Sequence, residues 1–212
     1  MERLLSVHTV CLVIGNYQLS WIELIGTLFY FASVFLISRR KISTWPVGIV
    51  SVILYGILFY QIQLYSDMLE QGYYLVISVI GWMMWNKQKK TEGAVGSLWS
   101  SPQGIGLAIV ITLVGTSILA FCVSRFHLWL PSLFPEPASY PALDALTTVM
   151  SFVAMYLTTI RRTEGWVYWI IVDVLAVWLY WVKDVRFISA QYVFLLCMAI
   201  YGLYFWSKRK SA

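Results

Sequence analysis

GWVYWIIVDVLAVWLYW, Gly165 to Trp181, sets four tryptophans and two tyrosines around one acid, Asp173. What that carboxylate can do depends on whether the segment lies in water, in a soluble core or in lipid. Of the 212 residues, 60% are apolar and 12% are charged, and apolar runs of about twenty residues recur along the chain. A soluble domain could not cover its exposed helix faces with so few charges. Runs of this length cross about 30 Å of hydrocarbon at about 1.5 Å per helical residue. The chain therefore reads as an all-α, polytopic membrane protein.

Outward from this stretch, the basic residues mark the topology. Eleven of the fifteen Lys and Arg residues form four clusters, each following an apolar run: Arg39, Arg40 and Lys41; Lys87, Lys89 and Lys90; Arg161 and Arg162; Lys208, Arg209 and Lys210. The pattern predicts seven spans, at 21–37, 45–62, 69–86, 104–123, 141–159, 166–182 and 188–206. With the N-terminus outside, all four clusters lie on the cytoplasmic side, and the other side keeps only Arg3, Arg125, Lys183 and Arg186. The C-terminus is then cytoplasmic. The excess of basic residues is thus assigned to topology, and no nucleic-acid partner is expected.

Residues 1–20 hold an apolar run, Leu4 to Ile14, that His8 interrupts and Gly-Asn-Tyr-Gln follows. That is too short to span and lacks a small-residue cleavage site, so it reads as an interfacial segment, with a tilted eighth element as the alternative. Ser20-Trp-Ile-Glu23 fits a capping box at the start of the first span, with Glu23 reaching back to Ser20. Cys11, Cys122 and Cys197 are scattered, and neither His8 nor His127 stands at ligand spacing from them. Nothing in the sequence reads as a catalytic centre, a metal site or a cofactor motif, so no enzyme activity and no cofactor are expected.

Sliding the chain by 121 positions superposes residues 22–89 on 143–210. Trp45 then meets Trp166, Gly81 meets Gly202, Trp85 meets Trp206, and Arg40, Lys87 and Lys89 meet Arg161, Lys208 and Lys210. Glu23 with Asp144 and Glu70 with Gln191 add polar pairs. The predicted organisation is an interfacial segment (1–20), a first three-helix repeat (21–86), a basic loop, linker helix and outside loop (87–140), a second three-helix repeat (141–206) and a basic cytoplasmic tail (207–212). Four crossings separate equivalent points, so the repeats are expected to be parallel about an axis along the membrane normal, a 3+1+3 arrangement. Pro131, Pro135 and Pro137 suit the outside connection.

QLSWIELIGT from Gln18, KISTWPVGIVSVILYGILFYQIQLYSDMLEQGYYLVISVIGWMMW from Lys41 and the Trp-x-x-Trp-x-x-x-Asp run from Trp166 closely resemble the PnuC family of vitamin transporters. The resemblance covers the chain from Gln18 to Trp206. It implies a fold similar to the SWEET sugar transporters and a place in the bacterial cytoplasmic (inner) membrane. It also implies facilitated diffusion of nicotinamide riboside or, in the PnuT branch, thiamine, with trapping by a cytoplasmic vitamin kinase. Membrane lipid and the vitamin are the other expected partners, and homo-oligomerisation is left open.

On a helix Trp166, Trp169 and Asp173 share one face. A carboxylate at mid-bilayer costs at least about 2.5 kcal/mol, so it should face the protein interior with a partner. Framed by indoles, it suits an aromatic cation, which would gain a counter-ion and cation–π contacts of about 0.5 to 2 kcal/mol. The repeat-related residue is Val52, so the second repeat holds the acid alone. In the third span Gln71, Tyr74, Ser78 and Trp82 form a polar and aromatic stripe, and Gln191 is added as the counterpart of Glu70. Trp85 and Trp206, just before lysines, are expected to be interfacial anchors. The resemblance also bears on substrate: riboside transporters tend to have asparagine where this chain has Ser51, Ser78, Asp173 and Tyr201. Those departures favour thiamine over nicotinamide riboside, with riboflavin next. A channel and a proton-coupled carrier are the alternatives of another class.

Overall fold

The computed structural model describes residues 5–14, 17–63, 65–92, 95–129, 140–182 and 186–208. Arg3, Lys183, Arg209, Lys210 and the three loop prolines lie outside them. Two short strands, β1 (Val10–Ile14) and β2 (Tyr17–Ser20), precede seven helices: α1 (Trp21–Ser38), α2 (Thr44–Gln61), α3 (Tyr65–Glu92), α4 (Pro102–Trp129), α5 (Pro141–Thr159), α6 (Gly165–Val182) and α7 (Arg186–Ser207). The chain divides into two compact units, one of Met1–Gly96 with Tyr204–Ala212, the other of Ser97–Leu203.

Six of the seven helices are long and apolar enough to cross a membrane, among the described residues; α3 is not one of them. Its first two turns carry Asp67, Glu70 and Gln71, and its last two carry Lys87, Lys89, Lys90 and Glu92. It therefore runs well past the predicted span of 69–86, as α4 runs past 104–123. The six apolar helices make this a multi-pass membrane protein.

In the first unit, α1 packs on α2 and α2 on α3. Ser20 caps α1, its hydroxyl accepting from the Glu23 N–H at 3.4 Å. The expected return contact from Glu23 is not made: its carboxylate accepts from the Tyr17 hydroxyl instead. Val10–Ile14 and Tyr17–Ser20 are strands and not helical. Val13 pairs with Gln18 and Ile14 with Tyr17 in an antiparallel hairpin, which amends the all-α expectation. The hairpin is tied to the end of α2 by Gln61, whose side chain accepts from Val7 N at 2.9 Å and donates to Leu5 O at 2.6 Å.

The turn from α1 to α2 ends the first helix on a residue in the left-handed region, Arg40 at φ 56°. Arg40 N donates to Ile37 O at 2.8 Å and Lys41 N to Leu36 O at 2.9 Å, the two bonds of a Schellman motif. In the second unit the turn from α5 to α6 repeats this at a spacing of 121 residues, as the sequence offset requires. Arg161 has φ 65°, Arg161 N donates to Thr158 O at 3.0 Å, and Arg162 N donates to Leu157 O at 2.7 Å. A left-handed non-glycine costs about 1 to 2 kcal/mol, which the two captured carbonyls offset.

Past each corner a tryptophan lies on a glycine. A Cβ at Gly81 would sit 2.4 Å from the Trp45 ring, and one at Gly202 would sit 2.6 Å from the Trp166 ring. Only a bare backbone allows this approach. Within the first unit Trp85 meets Trp45 edge-on at 5.1 Å, and Trp206 donates its indole N–H to Ile37 O and Ser38 O, at 3.2 and 3.0 Å. Trp85 and Trp206 are thus buried core residues, 0% and 2% exposed, and not interfacial anchors. Trp206 satisfies carbonyls that the end of α1 would otherwise leave open.

In the second unit α4 packs on α5 and α5 on α6. The segment before α4 clasps the α5–α6 corner: Leu98 N donates to Arg161 O at 3.1 Å and Thr163 N donates to Leu98 O at 2.9 Å.

Candidate functional site

Helix α6 owes its buried face to the spacing of Trp166, Val172, Asp173, Ala176 and Leu179. Two acids are buried among the described residues, Glu164 and Asp173, and they differ in what meets them. Glu164, just before α6, accepts from the Ser100 N–H with both oxygens at 3.2 Å. Asp173 is 4% exposed, and no described residue gives its carboxylate a hydrogen bond or an ion pair. A buried carboxylate left in this state is unfavourable in the empty protein and is relieved by any cation that reaches it.

The face around Asp173 is aromatic. Trp169, one turn before it, is part-buried. Trp166, a turn further, is buried against Gly202 of α7, so its ring is engaged in holding α6 to α7. Trp45 on Gly81 does the same in the first unit. Two turns beyond Asp173, Tyr180 stacks on Tyr192 of α7 with centroids 5.4 Å apart and planes within 12°. The sequence reading missed this stack, although Tyr180 stands seven residues from Asp173 and hence on its face. Gln191, beside Tyr192, is part-buried.

The stripe on α3 lies in the first unit. Ser78 is buried, Gln71 and Tyr74 are part-buried, and Trp82 is 39% exposed. Gln71 lies near Gly56 of α2, where a Cβ would come within 3.8 Å of its own. Ser51, one of the four residues used to favour thiamine, donates its hydroxyl to Gly26 O at 2.9 Å. Outside the spans, Tyr17 of β2 is held above its ordinary range, first by burial and then by its bond to Glu23.

No group of three or more His, Cys, Asp or Glu suited to a metal occurs among the described residues. What the second unit offers is one buried carboxyl group on an aromatic face, with no hydrogen-bond or ion-pair partner among the described residues.

Residues 20–208 match the family described as Nicotinamide mononucleotide transporter. The chain belongs to this family. Its similarity to PnuC proteins spans nearly the whole molecule. It is 32% identical over 208 residues to the nicotinamide riboside transporter PnuC of Escherichia coli, an alignment that covers 91% of this chain and 87% of that protein. It is 27% identical over 211 residues to the riboflavin/roseoflavin transporter RibM of Streptomyces davaonensis, covering 97% and 94%. Among solved structures, the crystal structure of the vitamin B3 transporter PnuC aligns with a TM-score of 0.66 at 28% identity, over 89% of this chain and 81% of that one. The PnuC resemblance seen in the sequence is thereby confirmed.

Proposed function

We propose that this protein carries nicotinamide riboside across the bacterial cytoplasmic membrane. The observation that carries the substrate class is Asp173, a buried carboxylate without a partner among the described residues, on the aromatic face of α6. Nicotinamide riboside presents a permanent pyridinium charge on a flat ring, which such a face would hold by charge and by cation–π contact. Thiamine meets the same chemical demand, so Asp173 does not separate the two. The relatives do favour one: the PnuC proteins similar to this chain are named for nicotinamide riboside, and RibM for riboflavin. The preference for thiamine is withdrawn accordingly, and its basis is weakened by Ser51, whose hydroxyl is engaged with Gly26.

Trp169 is the first aromatic contact in this reading, with Gln191 on α7 as a polar one. The residue types of Gln71, Tyr74, Ser78 and Trp82 support a share in substrate contact. Transport is by facilitated diffusion, with a cytoplasmic kinase trapping the product. The parallel 3+1+3 arrangement and the outside N-terminus follow from the 121-residue repeat and the basic clusters.

Uptake into proteoliposomes tests this. Nicotinamide riboside should equilibrate saturably, and thiamine and riboflavin should compete only weakly. Preferred uptake of thiamine would restore the first expectation, and preferred uptake of riboflavin would remove Asp173 from the account, because that ring system is uncharged.

A further inference from the structure

Between turnovers Asp173 has no vitamin beside it, and no described residue takes the vitamin's place. The side chain is 4% exposed and receives neither a hydrogen bond nor an ion pair from the described residues. Within its unit α6 is packed by α5, by α7 through the Trp166–Gly202, Tyr180–Tyr192 and Ser189–Val177 contacts, and by α4 through the Thr112 hydroxyl on Tyr168. The described charges of these helices stand near their ends: Arg125 in the last two turns of α4, Asp144 in the first turn of α5 and Arg186 at the start of α7. Arg161, Arg162 and Glu164 belong to the corner before α6, more than about 10 Å of helix from Asp173. Neither these charges nor any described histidine, tyrosine or cysteine acts on the Asp173 carboxyl, on which burial alone bears.

Two further facts bear on the state of that carboxyl. Trp169 shares its face, and the negative π surface of an indole gains from a cation and not from a bare anion. In the first repeat the equivalent position is Val52, so the frame asks there for a neutral side chain. A buried acid that lacks both a donor and a cation escapes the cost of its charge by keeping its proton.

We propose that Asp173 holds its own proton in the empty carrier and releases it to solvent when the vitamin cation binds. A neutral acid and a cation become an ion pair and a free proton: the Asp173 O–H bond breaks, its electron pair stays on the carboxylate, and nothing is oxidised or reduced. The site is thus neutral overall both empty and loaded. Release of a proton is favoured as pH rises, so binding tightens with pH until the acid ionises by itself. With equal pH on both sides the exchange adds no driving force, and transport remains equilibration. This proposal rests on the vitamin site described under the proposed function.

Titration calorimetry of nicotinamide riboside into the full-length protein in detergent, run in two buffers of different ionisation enthalpy, counts the protons released. The pyridinium charge is permanent, so the ligand itself contributes none. Wild type should release about one proton per ligand at the acidic end of its stable range, and affinity should rise by up to about tenfold per pH unit. Asp173→Asn should bind more weakly, release no proton and show no such rise. Infrared spectra of the wild type, which need no variant, should show a protonated-carboxyl band that disappears when nicotinamide riboside is added. Binding without proton release, a band that persists, or the same pH dependence in Asp173→Asn overturns the proposal while the vitamin site stands. Absence of binding to the wild type at every pH overturns the vitamin site and the proposal together.

Discussion

The α1–α2 corner and the α5–α6 corner are built alike, and the helices that leave them, α2 and α6, differ in one decisive position. Each corner ends its first helix on a left-handed arginine, Arg40 or Arg161, and each then lays a tryptophan on a glycine, Trp45 on Gly81 or Trp166 on Gly202. Seven residues past the tryptophan, the first copy has Val52 and the second has Asp173. The duplicated parts are those that geometry demands, and the unduplicated acid is the part that stability would not select. A buried carboxylate with no donor among the described residues weakens the fold it sits in, and the proposed counter-ion role would explain its place in only one copy.

The largest expected effect tests the shared frame. Gly81→Ala and Gly202→Ala each drive a methyl group into a buried indole, and overpacking of this kind costs about 1 to 3 kcal/mol or more. Both variants should lose thermal stability by similar amounts in detergent. A loss in one alone would show that the two tryptophans do not do the same work. A smaller and opposite effect is expected at the corners: Arg40→Gly and Arg161→Gly relieve a left-handed residue and should raise stability by up to about 1 kcal/mol each. Destabilisation of either would mean that its side chain contributes more than the backbone strain it imposes.

The smallest effect concerns the hairpin, which has no counterpart among the second unit's described residues. Tyr17 is raised above its ordinary range in the folded protein, so its contribution is present below about pH 10 and fades as pH rises past that value. Tyr17→Phe should flatten the decline of melting temperature between pH 9 and about pH 11. An unchanged profile would place the decline in another group.

The helices were legible because each owes its limits to local signals, such as Ser20 before α1 and Pro141 opening α5. The repeat was legible because tryptophan and glycine are rare enough to register against an apolar background. Other features needed the third dimension. Trp85 and Trp206 stand beside lysines as interfacial anchors do, yet they are core residues, since the Trp206 indole lies on the end of a helix 168 residues away in the chain. The hairpin was hidden by its length: four or five residues of alternation on either side of Gly15-Asn16 are too few to outweigh an apolar run. The position of Asp173 could be read from spacing, but its lack of a donor among the described residues could not, because that depends on what every neighbouring helix presents. Substrate choice was not legible from four positions without asparagine, because what such a position offers a ligand depends on its partners, and the Ser51 hydroxyl is engaged with Gly26.

The central claim is that Asp173 serves as counter-ion to a cationic vitamin, and Asp173→Asn tests it because the amide keeps shape and hydrogen bonding while removing the charge. The measurement is calorimetric titration of nicotinamide riboside into wild type and variant in detergent, with a thermal melt of each. The account predicts that affinity falls about tenfold or more, near 1.4 kcal/mol, while the ligand-free variant melts no lower than wild type. Unchanged affinity together with a lower melting temperature would contradict it and assign Asp173 to the fold.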